Sequence, residues 1–244
     1  MATIDHVTLR ASDIDASVAL YERSFDLLGF SGKPFEDDGF HEWNDFSVAP
    51  VEPDRPGTRN LHIGFAAASR EQVETWWLEL TRVGYCDAGA PGVRAEYRAD
   101  YYGAFVLDPD GNSVEAVVHE STTPEAGTID HVWVRVRDLG ATRRFYERVL
   151  PAVGVRLAER PGRLAALAAG GSFSFVEGTP TENLHLAIGV GDQETVRAFH
   201  AAGLAAGGID EGEPGERPRY HPGYYGAYLR DPDDNNIEAV FHER

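Results

Sequence analysis

One cysteine, Cys86, stands in 244 residues, so no disulfide can close within the chain, and a reducing compartment, the cytoplasm, is the expected setting. Long apolar runs are missing. No stretch approaches the roughly 20 residues that cross a bilayer, which argues against a membrane partner. Positive charge is scarce: 22 Lys and Arg against 40 Asp and Glu leave a formal net charge of −18, which argues against nucleic acid as a partner. The deficit is uneven, with 22 acidic and 9 basic side chains in residues 1–124 and 18 and 13 in residues 125–244. A solvated acidic surface is the plain reading, and attraction of a cationic ligand to the first half is the sharper one. The first residues run directly into a strand-like segment, without the basic region and apolar stretch of a secretory leader, so none is expected.

What the sequence does have, it has twice. Thr3-Ile4-Asp5-His6-Val7 returns as Thr128-Ile129-Asp130-His131-Val132, and Asn60-Leu61-His62 returns as Asn183-Leu184-His185. Tyr101-Tyr102-Gly103-Ala104, running to Glu115, returns as Tyr224-Tyr225-Gly226-Ala227, running to Glu238. The two copies predict two domains, 1–121 and 128–244, joined by a polar linker at 122–127. Each is long enough to bury its own core.

Each copy opens on a strand. Simple alternation places Ile4, His6 and Thr8 on one face and Val7 and Leu9 on the other. A helix follows, with Ser12 or Asp13 as cap, apolar Ile14, Val18, Tyr21, Phe25 and Leu28, and Gly29 as stop. Its counterpart spans Asp138 to Leu150. After short strands around Phe46-Ser47-Val48 and Phe173-Ser174-Phe175 the pattern restarts. Leu61 to Phe65 is a strand, and Ser69 to Val83 a helix with Ser69 and Gln72 as capping box. Leu184 to Val190 and about Asp192 to Ala202 repeat them. Trp76-Trp77 lies on the Ser69–Val83 helix and reads as core. Two further strands close each copy through the turns Asp108-Pro109-Asp110-Gly111-Asn112 and Asp231-Pro232-Asp233-Asp234-Asn235. Asp234 stands where the first copy has Gly111, and Asp tolerates a positive φ there.

The repeated His and Glu residues fall on the less apolar face of each strand. His62 shares its face with Gly64 and Ala66, and His185 with Ala187 and Gly189, so there is room beside each imidazole. A carboxylate flanked by strand core, as at Glu115 and Glu238, is costly unless paired, hydrogen-bonded or bound to a metal. Two His and one Glu per copy are residue types that hold a divalent ion and leave positions open.

In order, Ile4-Asp5-His6-Val7, the helix ending at Leu28-Gly29, Leu61-His62-Ile63 and Asp108-Pro109-Asp110-Gly111-Asn112-Ser113-Val114-Glu115, each with its second version, resemble two fused domains of the vicinal oxygen chelate superfamily. That superfamily includes glyoxalase I, bleomycin-resistance proteins and extradiol dioxygenases. The resemblance implies an α+β fold of tandem duplicated domains, each of two βαβββ modules forming a cup-shaped mixed sheet. It implies metal ligands at His6, His62 and Glu115 and at His131, His185 and Glu238, with Fe, Mn, Zn or Ni as the ion. Whether each site forms within one half or between halves stays open. Glyoxalase I-like members add a fourth carboxylate or amide ligand from the strand that here is Phe46-Ser47-Val48 or Phe173-Ser174-Phe175. Neither shows a clear one; Glu52 and Glu177 lie nearby and are expected beyond the strands.

A three-ligand set of this kind suits Fe(II) and oxygen chemistry. The expected function is a metal-dependent enzyme, dioxygenase-like, acting on a small oxygen-rich molecule. The alternatives are a glyoxalase-type lyase or isomerase and a non-catalytic antibiotic- or metabolite-binding protein. His221, His242 and Tyr225 are the candidate catalytic residues. His242 and its counterpart His119 each follow a Glu by four residues and so share its face, and a His near an open metal position could act as acid or base. Arg94, Tyr101, Tyr102, Arg217 and Tyr224 are candidates for binding substrate, with strand packing and surface solvation as the alternatives. The copies diverge where Arg98 stands opposite His221. A monomer with pseudo-two-fold halves or a homodimer is expected.

Overall fold

Side-chain oxygens start each of the four α-helices of the computed structural model, which describes residues 3–30, 34–122, 127–168 and 171–243. Asp13, Ser69, Asp138 and Asp192 each accept a hydrogen bond from a first-turn N–H, satisfying donors that have no partner inside the helix. The helices so begun are α1 (Ile14–Leu28), α2 (Arg70–Arg82), α3 (Leu139–Val149) and α4 (Gln193–Ala205). Gly29 ends α1 in the left-handed region at φ 76°. No helix among the described residues is long and apolar enough to cross a membrane.

The strands in chain order are β1 (Thr3–Ala11), β2 (Phe35–Asp37), β3 (Phe40–Trp43), β4 (Phe46–Pro50), β5 (His62–Ala66), β6 (Cys86–Val93), β7 (Tyr102–Leu107), β8 (Ser113–Val118), β9 (Ile129–Val136), β10 (Leu157–Arg160), β11 (Arg163–Ala168), β12 (Gly171–Glu177), β13 (His185–Gly189), β14 (Ile209–Glu216), β15 (Tyr224–Arg230) and β16 (Asn236–His242). They form two eight-stranded mixed sheets, β14-β15-β16-β13-β1-β4-β3-β2 and β10-β11-β12-β9-β5-β8-β7-β6. The fold is α+β, as the resemblance implies.

The compact units do not follow the repeat. One is continuous, Leu9–Val132; the other is split, joining Met1–Thr8 to Trp133–Arg244. Relative to the copies 1–121 and 128–244, each unit has exchanged its opening strand segment. Residues 123–126 of the linker lie outside the described residues.

In the continuous unit the entry of β9 is tied by Asp45. This buried carboxylate accepts hydrogen bonds from the Thr128 hydroxyl and N–H and from the Ile129 N–H. The Asp-Pro-Asp-Gly-Asn turn does similar work for β8. Asp108 accepts from Tyr21 Oη at 3.1 Å and from the Asn112 N–H at 2.8 Å. Asn112 in turn accepts from the Leu61 N–H at 3.1 Å and donates to the Thr58 carbonyl at 3.0 Å, joining the start of β5 to the start of β8. In the split unit Asp231, Tyr146, Asn235, Leu184 and Thr181 repeat the arrangement. The turn residue that differs between the copies keeps its backbone, with φ 82° at Gly111 and 71° at Asp234.

Helix-facing residues form the core of each unit. Leu20, Tyr21, Phe25, Phe46, Phe65 and Trp76 are buried in the continuous unit, and Phe145, Tyr146, Phe173, Phe175 and Phe199 in the split one. The other sheet face, which carries the repeated His and Glu residues, is left for chemistry.

Candidate metal centres

In the continuous unit β5 and β8 run parallel, with His62 opposite Ser113 and Gly64 opposite Glu115. Cross-strand partners share a face, so His62 and Glu115 are neighbours on it. The imidazole of His131, from β9, lies over Gly64, where an added Cβ would stand 2.7 Å from its Nδ1. Nε2 of His62 and Nε2 of His131 are 3.0 Å apart, and Glu115 Oε2 lies 3.0 and 3.3 Å from them.

The split unit builds the same group from different halves. β1 pairs antiparallel with β13, placing His6 opposite Ala187, and Ala187 also lies opposite Glu238 of the parallel neighbour β16. His6 and Glu238 therefore flank a methyl side chain, with His185 two residues back on the same face. The His6 and His185 Nε2 atoms are 3.1 Å apart, and Glu238 Oε2 is 3.8 and 3.2 Å from them.

The structure shows which of the repeated donors meet, a grouping that the repeat leaves open. It gathers His62, Glu115 and His131 in one unit and His6, His185 and Glu238 in the other, the donor atoms of each set lying within 4.8 Å of one another. The sets mix repeat copies because the opening strands have been exchanged.

A cation fits what these donors present. Asp130 faces the His131 Nδ1 at 2.7 Å, Asp5 the His6 Nδ1 at 2.8 Å, and Asn236 Oδ1 the His185 Nδ1 at 3.0 Å. Each acceptor draws the ring hydrogen to Nδ1 and turns a bare Nε2 toward the Glu. His62 Nδ1 contacts Ser113 Oγ at 2.9 Å. Both carboxylate oxygens of Glu115, and Oε2 of Glu238, are buried without a hydrogen-bond partner among the described residues. Buried acceptors converging in this way require a positive charge. Donors about 2.1 Å from a common divalent ion stand roughly 3.0–3.4 Å apart at tetrahedral or adjacent octahedral positions, a spacing that the continuous-unit set matches and the split-unit set exceeds on one edge.

The same electrostatics move the ionisation of the ligands. Burial pushes the His131 imidazole down, but Asp130 and Glu115 outweigh it and raise its pKa to about 9. Burial works against ionised Glu115, Asp130 and Asp5, yet the neighbouring imidazoles hold all three below the ordinary carboxylate range. Burial, reinforced by the nearby Glu, raises the phenols of Tyr101 and Tyr224 far above the usual range, so both are neutral donors. The Tyr224 hydroxyl donates to Glu238 Oε1 at 2.7 Å.

Of the other predicted residues, some face these groups and some do not. Arg94 lies 5.3 Å over the Phe105 ring, which stands 5.8 Å from the His62 ring. Arg217 lies 5.5 Å over Tyr228, whose ring is 6.2 Å from His185. His242 reaches Asp5 at 3.0 Å, and His221, exposed, reaches His242 at 2.9 Å, so both stand behind the split-unit triad. Tyr102 and Tyr225 point to the helix side. The Tyr102 hydroxyl donates to Glu74 of α2 at 2.8 Å, and Arg197 of α4 covers the Tyr225 ring at 5.2 Å. Strand alternation separates each of them from its neighbour Tyr101 or Tyr224.

Sequence reasoning missed Asp5 and Asp130. Strict alternation puts each on the opposite face from its neighbouring His, but β1 has a register shift between Ile4 and His6. Such a bulge lets two consecutive side chains serve one face; Ile4 is buried on the helix side with Val7 and Leu9 instead. Tyr228 was missed as well, and the mismatch with Phe105 at the same point of the other copy was the available signal.

Comparison with known proteins places this geometry. The profile of the Glyoxalase/Bleomycin resistance protein/Dioxygenase superfamily matches residues 3–116. No curated protein matches by sequence. A glyoxalase/bleomycin resistance protein from Albidiferax ferrireducens is 33% identical over 47% of this chain and 98% of its own, with TM-score 0.43. Glyoxalase I from Zea mays shares the fold along 99% of this chain and 93% of its own, at 20% identity and TM-score 0.67. A Mn(II)-bound glyoxalase from Novosphingobium aromaticivorans is 19% identical over 99% of this chain and 82% of its own, with TM-score 0.44. The profile match shows residues 3–116 to belong to the Glyoxalase/Bleomycin resistance protein/Dioxygenase superfamily, and the second copy repeats their motifs.

Proposed function

We propose that this protein is a divalent-metal-dependent enzyme that acts on a small oxygen-rich molecule by dioxygenase-type chemistry. One observation carries the reading. Each donor set consists of two imidazoles and one carboxylate, and among the described residues no further His, Cys, Asp or Glu joins either set. A three-donor set leaves positions for exogenous oxygen ligands. A divalent ion bound there supplies Lewis acidity and, when redox-active, the electron chemistry that dioxygen requires.

The chain's own groups do the rest. In the split unit Tyr224 orients the Glu238 carboxylate. Tyr228, held neutral by burial and by Glu238, offers a phenol beside His185. Arg217 over the Tyr228 ring supplies positive charge for an oxygen-rich substrate. The continuous unit has Phe105 in place of Tyr228, so turnover belongs to His6, His185 and Glu238. A second reading, a glyoxalase-type isomerase or lyase, is favoured by the full-length likeness to glyoxalase I from Zea mays.

Anaerobic purification, metal analysis and reconstitution with Fe(II), Mn(II), Zn(II) or Ni(II) test both. Oxygen uptake with catechols in the Fe(II) or Mn(II) form supports the first. Oxygen-independent conversion of 2-oxoaldehyde thiol adducts in the Zn(II) or Ni(II) form supports the second. Protein that takes up no metal yet binds an antibiotic or metabolite overturns both.

A further inference from the structure

Behind each triad stands a second layer that differs between the units. Asp130 is shared by two imidazoles: Oδ1 faces His131 Nδ1 at 2.7 Å, and Oδ2 faces His119 Nε2 at 3.1 Å. His119 is itself fixed by the backbone, because its Nδ1 accepts the Ser121 N–H at 3.2 Å. That bond leaves the ring hydrogen on Nε2, where it is donated to Asp130. In the split unit Asp5 does the same between His6 at 2.8 Å and His242 at 3.0 Å. There the far nitrogen of the clamping ring meets a side chain. His242 Nδ1 lies 2.9 Å from Nε2 of the exposed His221, whose Nδ1 is 2.8 Å from the Pro222 carbonyl. The residue opposite His221, Arg98, is engaged by Asp100 and by the Ser121 hydroxyl, so it meets the continuous-unit clamp through the residue that anchors His119 and supplies no ring to it.

We infer that Asp5 and Asp130 are positioning residues, each clamped by a second histidine, His242 or His119, and that the closed clamp of the continuous unit makes its triad release a metal more slowly than the triad of the split unit. A carboxylate on Nδ1 fixes the tautomer and ring orientation of a metal-binding His and makes its Nε2 a stronger donor; losing such a partner costs about 10- to 100-fold in metal affinity. The carboxylate orients the ligand only as well as it is itself held. Asp130 is held by a ring anchored to the main chain, and Asp5 by a ring anchored to an exposed surface imidazole. The wider split-unit triad, with its 3.8 Å edge, points the same way. The inference rests on the metal-binding reading of both triads.

Co(II) is the probe, because its visible spectrum reports ligand geometry independently of turnover. Glu115→Ala isolates the split-unit triad and Glu238→Ala the continuous-unit one, each in the full chain. In these backgrounds Asp5→Asn and Asp130→Asn should weaken Co(II) binding about 10- to 100-fold and shift the spectrum, each only for its own triad. His119→Ala should weaken the continuous-unit triad, and His119→Gln, which keeps an N–H for Asp130, should restore most of the loss. These two variants, one residue further from the ligand, also guard against misfolding of the Asp variants. Release of Co(II) to a chelator should be faster from the split-unit triad, and faster still with His221→Ala. Wild-type protein that takes up no Co(II) refutes the metal reading itself. Co(II) uptake with unaltered affinity and spectra in both Asp variants, or slower release from the split-unit triad, overturns this inference and leaves the metal reading standing.

Discussion

Exchange of the opening strands makes a prediction that the repeat alone leaves open. His6→Ala combined with Glu238→Ala removes two donors from one triad; His6→Ala combined with Glu115→Ala removes one donor from each. Two triads are present, so the wild-type chain should carry two ions, the first double variant one and the second none. A set of three protein donors has no reserve. The first double variant leaves His185 alone at its triad; the second leaves His185 and Glu238, 3.2 Å apart, in one unit and His62 and His131, 3.0 Å apart, in the other, all held by strand pairing and unable to close on the ion from new directions. The loss at a damaged triad should therefore exceed the roughly 100-fold reached on removing only a supporting hydrogen bond. Equilibrium dialysis under anaerobic conditions, followed by elemental analysis, counts the ions directly. If the His6/Glu115 double variant kept one ion while the His6/Glu238 double variant kept none, His6 would share its ion with Glu115, and the strand-exchange argument would fail.

Other consequences can be checked separately. Gly64→Ala places a Cβ against the His131 imidazole, 2.7 Å from Nδ1, and should abolish the continuous-unit ion and cost about 1–3 kcal/mol in chemical denaturation. Gly111→Ala meets no atom within 4 Å but sits at φ 82°, so it should cost only about 1 kcal/mol and spare the ion. Because the His131 pKa is about 9 without a metal, a cation must displace that proton. Calorimetry in buffers of different ionisation enthalpy should show roughly one proton released on binding at pH 7 and none above pH about 10. In metal-free protein the same shift from the ordinary 6.5 stabilises fully below pH 6.5 and is lost as pH rises through about 9. Equilibrium unfolding should show up to about 3 kcal/mol of that loss. Tyr146→Phe removes the 2.9 Å hydrogen bond to the buried Asp231, whose pKa burial already raises to about 6, and should destabilise by about 1–3 kcal/mol in urea titrations.

The amino-acid sequence by itself determined the four helices, the strands that carry the site and the six candidate donors, though not the outer strands β6 and β14. Helix caps at Asp13, Ser69, Asp138 and Asp192, the stop at Gly29 and the turn with Asp234 in the place of Gly111 are local chemistry, and each acts within a few residues of where it is written. The faces of β5, β8, β13 and β16 followed from a period of two, so His62, Glu115, His185 and Glu238 could be placed on the less apolar faces, the two His beside small neighbours, before any strand was paired. Only the tertiary structure decided which donors meet. Pairing of β1 with β13 is a contact between residues nearly 180 apart, and nothing near His6 says whether its strand will join its own copy or the other. The bulge beside His6 was equally hidden, because a register shift belongs to a pair of strands rather than to one. That single extra residue turns Asp5 from an opposite-face neighbour into the acceptor that holds His6, and so the support of the site, unlike its ligands, was not legible in the chain.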